Sequence, residues 1–191
     1  MKKFFVILVC KTIRLIGRLT GRGSSLPGQI ALKLDPDILS KIKMPPYIVA
    51  VTGSNGKTST VELIARILKD ARKSFAYNKE GSNQIEGVTT LILEHCTFSG
   101  KVKPEIILIE SDERFAKYTF RYFSPTHYII TNLYRDQLTR NGHPEWVAHA
   151  IEESIRPETQ LVLNADDPLV SKFGLGRDNT VYFGAEMLPQ S

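Results

Sequence analysis

The octapeptide Thr52-Gly53-Ser54-Asn55-Gly56-Lys57-Thr58-Ser59 lies between an apolar, β-branched run at 47–52 and a stretch in which Val61, Ile64, Ala65 and Leu68 recur at i, i+3, i+4 and i+7. A buried strand, a tight turn and an amphipathic helix in that order confine the chain to an α/β fold. Glycines let the turn adopt positive φ and approach a ligand closely. Successive N–H groups and the helix N-terminus, which carries about half a positive charge, then face an anion. Gly53, Ser54, Asn55, Gly56, Lys57, Thr58 and Ser59 thus form a candidate nucleotide loop. In it Lys57 reaches the β- and γ-phosphates and the Thr58 hydroxyl reaches Mg²⁺. The common loop G-x-x-x-x-G-K-[ST] places glycine five residues before Gly56, but that position is Val51. The shortened form T-G-x-N-G-K-T argues against ordinary GTPases and most P-loop kinases.

Further strands are predicted at 105–110, 128–132, 160–164 and 180–183. Helices are predicted at 84–94, 112–122 and 144–155, with another opening at Asp167-Pro168, where an Asp cap precedes proline at the first helical position. Continuous rather than alternating apolar strands separated by helices indicate a doubly wound parallel sheet. A nucleotide site of this kind needs a carboxylate at the C-terminal end of a neighbouring strand to hold Mg²⁺ against the triphosphate. Glu110 ends the run EIILIE and is the candidate metal ligand beside Thr58; Asp112 and Glu113 read equally well as a solvated loop.

Charge is distributed unevenly. Six of the 25 basic residues fall within positions 1–23, which hold no acid, so the remainder carries 19 basic against 20 acidic residues and offers no basic surface for nucleic acid. The basic segment also carries Phe4, Phe5, Val6, Ile7, Leu8, Val9, Ile13, Leu15 and Ile16, an apolar run too short to span a bilayer. Two readings stand for it: an amphipathic helix on an anionic membrane or a partner, or a helix packed on its own domain. GRGSSLPG at 21–28 is expected to separate this helix from the rest of the chain, and Pro45-Pro46 marks a second break, dividing the chain into 1–44 and 45–191. Cys10 and Cys96 form no C-x-x-C pair, and His95, His127, His143 and His149 lack metal-ligand spacing. A reducing, cytoplasmic setting is expected.

TGSNGKTS, NKEGSN (78–83), IESDE (109–113), TNLYRDQL (131–138) and LNADDP (163–168) stand in the order and at the spacing of the Mur ligase superfamily, which the chain resembles from about residue 12 to 184. The segment GSSLPGQIALKLDPDIL at 23–39 makes it most similar to the MurT-like branch. Proteins of that branch are ATP-dependent subunits that amidate the D-glutamate of the lipid II stem peptide with ammonia from a GatD-type glutaminase. The resemblance implies a central ATP-binding domain and an acyl phosphate made from a carboxylate and ATP. Mg²⁺ is implied on Thr58 and Glu110, with nucleotide contact from Asn132. Substrate contacts are implied at Asn78, Glu80, Asn83, Arg135 and Asp136. Work at the inner membrane face would suit the basic helix.

Departures from the family pattern carry their own expectations. Gln137 and Thr139 stand where many members have the His and second Asp of D-H-x-D, which leaves a second Mg²⁺ in doubt. No lysine occurs between Lys117 and Lys172, so Glu153, or Glu152, on the predicted helix 144–155 is expected to supply catalytically the charge that a carbamoylated lysine supplies elsewhere. MurT-like proteins continue with a zinc ribbon, the rest of the central domain and a C-terminal domain, so this chain alone is not expected to complete amidation. Two alternatives remain: a silent nucleotide-binding scaffold, or a ligase of the folylpolyglutamate or cyanophycin synthetase type.

Overall fold

The computed structural model describes residues 2–19, 24–78, 82–134 and 144–185. Six strands, β1 (Tyr47–Thr52), β2 (Phe75–Tyr77), β3 (Ile106–Glu110), β4 (His127–Ile130), β5 (Gln160–Asn164) and β6 (Thr180–Phe183), form one parallel sheet in the order β2-β3-β1-β4-β5-β6. Register pairs Val51 with Glu110 on one side and with Ile129 on the other, so the C-terminal ends of β3, β1 and β4 lie side by side. The chain leaves β1 towards β2 at one edge and leaves β4 towards β5 on the opposite side. Between strands whose connections diverge in this way a crevice opens above their carboxyl ends, the usual binding place in such sheets.

Helices α1 (Lys2–Leu19), α2 (Leu26–Leu34) and α4 (Ile85–His95), with the short α5 (Ala116–Thr119), α6 (Pro144–Glu152) and α7 (Pro168–Ser171), lie on one face. The remaining helix, α3 (Lys57–Asp70), covers β1, β2 and β3 on the other face through Val61 and Ala65, which pack against Val51 and Leu108. Among the described residues the sheet is thus covered unequally, and Val181, Tyr182 and Phe183 of β6 stay close to half exposed. In α4 every side chain from Val88 to Leu93 is buried, because the sheet lies below it and α1 and α2 lie above. A helix apolar all round is stable only when sandwiched in this way.

Both readings of the basic helix find something here. Val6, Ile7 and Cys10 of α1 are fully buried in the core shared with Ile48, Ile107 and Tyr128, so residues on either side of position 44 belong to one core. On the opposite side Phe4, Phe5, Leu8, Leu15 and Ile16 are 41–62% exposed. Among the described residues no helix is long and apolar enough to cross a membrane.

Some expected boundaries move. The GRGSSLPG break is shorter than expected, because α2 already starts at Leu26 with Pro27 in its first turn, a position that needs no N–H donor. Helix 112–122 shrinks to α5, since the Asp112 carboxylate accepts a bond from the Arg114 N–H at 3.0 Å and closes a turn there. Helix 144–155 ends at Glu152, and the strand expected at 128–132 runs from His127 to Ile130. The strand β2, three residues long, gives no periodicity to read.

Candidate nucleotide-binding site

The crevice above β3, β1 and β4 is floored by the glycine loop. Gly53 has φ +135° and Gly56 φ +80°, both in the left-handed half of the map. A Cβ on Gly53 would lie 2.2 Å from Thr131 Oγ1, so only glycine fits where the loop passes the end of β4. Gly56 precedes α3, whose first turn has no side-chain cap. The N–H groups of that turn have no acceptor within the helix and point at whatever occupies the crevice.

The segment after β4 fixes the loop from one side. Asn132 Oδ1 accepts from the Asn55 N–H at 2.9 Å while Asn132 Nδ2 donates to the Asn55 carbonyl at 3.0 Å. Thr131 Oγ1 donates to the Asn55 carbonyl at 2.8 Å, and the Tyr134 N–H donates to Ser54 Oγ at 3.0 Å. Asn132, expected at the nucleotide, therefore spends both ends of its amide on the loop and acts as its brace. Ser59 is exposed in the first turn of α3.

The chemical groups approach from the β3 side. Thr58 Oγ1 donates to Glu110 Oε2 at 2.9 Å, bringing together the two residues expected to share a cation. Lys57 Nζ donates to the Gly53 carbonyl, to the Ser54 carbonyl at 3.3 Å and to Glu113 Oε2 at 3.0 Å. Glu113 is missed by a reading of Asp112 and Glu113 as a solvated loop, because both are buried, one against Lys57 and the other on the Arg114 guanidinium. Its only signal in the sequence is its place three residues beyond the strand-end Glu110.

Other expected site residues have different roles. Asn78 is buried; its Nδ2 donates to the Glu110 carbonyl at 2.8 Å and its Oδ1 accepts the Glu110 N–H at 2.7 Å, which locks the end of β2 to the end of β3. The Asn83 carbonyl accepts the Asp112 N–H at 2.9 Å. Glu80, Arg135 and Asp136, like Gln137 and Thr139, lie outside the described residues. Glu153 is not brought to the loop. Its carboxylate sits at the surface 3.0 Å from Lys117 Nζ and 3.8 Å from His149 Nε2, and the Lys117 ammonium holds its pKa below the usual value. A catalytic part for Glu153 finds no support in that placement. Glu152, the last residue of α6, is likewise exposed.

Residues 51–186 match the family model described as the Mur ligase middle domain. The chain is 37% identical over 187 residues to the lipid II isoglutaminyl synthase (glutamine-hydrolyzing) subunit MurT of Staphylococcus aureus strain COL, covering 96% of this chain and 42% of that protein. It is 39% identical over 154 residues to MurT of Streptococcus pneumoniae, covering 80% and 34%. It thus spans less than half the length of these curated relatives. Among solved structures, the MurF ligase of Thermotoga maritima in complex with ADP superposes with a TM-score of 0.63 at 25% identity, covering 83% of this chain and 36% of that one. The pseudomurein peptide ligase type C of Methanothermus fervidus gives 0.58 at 30% identity, covering 79% and 29%. The shortened glycine loop, its brace from β4 and the Thr58–Glu110 pair lie within the matched residues, and the chain belongs to the Mur ligase family.

Proposed function

We propose that this chain is the nucleotide-binding part of an ATP-dependent amide ligase of peptidoglycan synthesis that activates the D-glutamate carboxylate of the lipid II stem peptide. The observation that carries the reading is the Thr58–Glu110 hydrogen bond of 2.9 Å beside the uncapped start of α3. A hydroxyl and a carboxylate, both hard oxygen donors, thus stand together at the start of α3, beside which the β- and γ-phosphates of a nucleotide held by the loop would lie. That donor set fits Mg²⁺, which takes one or two protein oxygens and completes its shell with phosphate and water oxygens. When bound, the ion neutralises charge on the transferred phosphoryl group.

The chain's own residues then have definable tasks. N–H groups of the first turn of α3 bind phosphate oxygens. Lys57 exchanges its carbonyl partners and Glu113 for the β- and γ-phosphates, and Asn132 and Thr131 keep the loop from collapsing while it does so. A substrate carboxylate oxygen bonds to the γ-phosphorus as the bond to the bridging oxygen of ADP breaks, giving an acyl phosphate and ADP. Ammonia then displaces phosphate to form the amide. The rate gain comes from positioning and fixed charge.

Similarity to subunits of a glutamine-hydrolysing synthase supports a GatD-type glutaminase as the partner that delivers ammonia. A cytoplasmic location, with peripheral attachment at the inner membrane face, is supported by the exposed apolar side of α1 within a segment rich in Lys and Arg and free of acids. Zinc is expected only in the ribbon that MurT-like proteins carry downstream of the region matched here. The direct test is Mg-ATP binding to the chain and to Lys57→Ala. Binding by the parent that weakens at least about tenfold in the variant is expected, since a charge-assisted phosphate contact is lost. A parent that binds no Mg-ATP makes the chain a silent scaffold.

A further inference from the structure

A cavity of about 330 Å³ lies between the C-terminal half of α1, α4 and the end of β2, outside the glycine loop. Arg14, Arg18, Ser24, Ser82, Glu94 and His95 line it. Three cations gather on one residue there: the Glu94 carboxylate takes Arg14 Nε at 3.0 Å and Arg18 Nη2, and the Glu94 backbone carbonyl takes Lys11 Nζ. Lys11, Arg14 and Arg18 follow one another at i, i+3 and i+7, which aligns them on one face of α1.

The imbalance is felt by a neighbour. His95 resists protonation, first because it is half-buried and then because Lys11, Arg18 and Lys103 surround it, with Glu94 opposing them. Arg18 is 60% exposed, so much of its donor fork remains in solvent at the mouth of the cavity. Hydroxyls of Ser24 and Ser82, bonded to each other, stand in the same wall. Cationic forks beside hydroxyl donors form the chemistry that recognises phosphate oxygens. The cavity also adjoins the end of β3, because Asn78 lines it and makes two hydrogen bonds to the Glu110 backbone and a third, at 3.0 Å, to the Ser82 carbonyl.

We propose that this cavity binds a phosphate or diphosphate group of the acceptor substrate, with Arg18 and Arg14 as its cationic contacts and Glu94 as the carboxylate that pairs with both until it arrives. The identification of the ligand as acceptor substrate rests on the amide-ligase reading above; the anion site itself does not.

The test uses the whole chain with Mg-ADP saturating the glycine loop, so that anion binding there is excluded. Two probes separate the sources of the phosphate: inorganic pyrophosphate in calorimetry, and co-sedimentation with phosphatidylcholine vesicles with and without a polyprenyl diphosphate. Arg18→Gln is expected to weaken binding about tenfold, the loss of one charge-assisted contact. Glu94→Gln is expected to strengthen it several-fold, although it breaks the same ion pairs. A purely structural cluster cannot produce that opposition of sign. Binding of pyrophosphate alone assigns a soluble phosphate compound, and binding only to diphosphate-bearing vesicles assigns a lipid headgroup. Failure of both probes, or weaker binding in Glu94→Gln, overturns the proposal. Absence of Mg-ADP binding in the same titrations is a separate result that refutes the nucleotide reading; the loop is then no longer blocked, and the opposite shifts in Arg18→Gln and Glu94→Gln, both outside the loop, locate the anion instead. Arg18, being largely exposed, can be replaced without unfolding α1, and its thermal midpoint checks this.

Discussion

Two lysine–glutamate pairs in this chain have the same length and opposite surroundings. Lys57–Glu113 and Lys117–Glu153 are both 3.0 Å apart, but the side chains of the first are 14% and 7% exposed and those of the second 38% and 42%. Distance therefore does not rank them. In the first, low local dielectric strengthens the attraction and makes each charge costly to leave alone; in the second, water screens both groups and the pair is nearly free to come apart. The inner pair lies between β1 and β3 beside the glycine loop, where the nucleotide of the proposed function would compete for the lysine. The outer pair bridges α5 and the residue after α6, with His149 Nε2 3.8 Å from the same carboxylate. Chemistry belongs where a charge is held at a cost and can be re-paired.

The sharpest way to break this contrast is Glu113→Ala. It leaves the Lys57 ammonium largely buried with only the Gly53 and Ser54 carbonyls for partners. A destabilisation of about 3 kcal/mol is expected, the lower end for a severed buried pair because those carbonyls remain. Chemical denaturation of parent and variant measures it, and a loss as small as that of the outer pair would show that burial does not decide. Added Mg-ATP should narrow the gap, because phosphate then supplies the charge that the glutamate lost.

The same contrast explains what could be read from the sequence. The glycine loop, Lys57, Thr58 and Glu110 were legible because strand, turn and helix are encoded within some twenty consecutive residues and the strand-end carboxylate follows from metal chemistry. Burial of Glu113 was not legible. It depends on a turn closed by Asp112 and on the adjacency of β1 and β3, which are 59 residues apart in the register pair Val51–Glu110. For the same reason Glu153 looked like a candidate, since a carboxylate on a helix shows its type in the sequence but not which way the helix faces. Asn78 and Asn132, expected at the substrate and at the nucleotide, have amides that bind backbone, a role that only the packed strand ends reveal. The helix α2 was hidden because serine, proline and glycine read as a linker until α4 is present to receive it. A hydrogen bond from the Gly28 N–H to Thr90 Oγ1 at 2.8 Å fixes that packing.

His95 supplies an intermediate case between the two pairs. Burial, reinforced by nearby cations, lowers its pKa from the ordinary 6.5, so the folded chain resists a proton that the unfolded chain accepts. Below that ordinary value the unfolded state binds more protons, and this share of stability, present above it, is lost as the pH falls. Thermal midpoints recorded from about pH 7.5 down to about pH 5.5 should fall further for the parent than for His95→Gln. Parallel curves would mean that the ring protonates equally in both states and that half-burial carries no penalty here.

The smallest effect is expected at the outer pair. Lys117 holds the Glu153 pKa below its usual 4.5, so whatever the pair contributes is present above that value and fades as the carboxylate protonates in acid. Both partners are open to water, and salt screens them further. Glu153→Gln should therefore leave the thermal midpoint at neutral pH unresolved from the parent and leave Mg-ATP affinity unchanged. A clear loss of nucleotide affinity in this variant would return Glu153 to the site and would require α6 to approach the phosphate loop when a nucleotide binds. Such a movement would have to break the contacts to Lys117 and His149 first, and parent and variant would then respond differently to salt in nucleotide binding. Equal salt dependence in the two, together with equal affinity, keeps the chemistry at the inner pair.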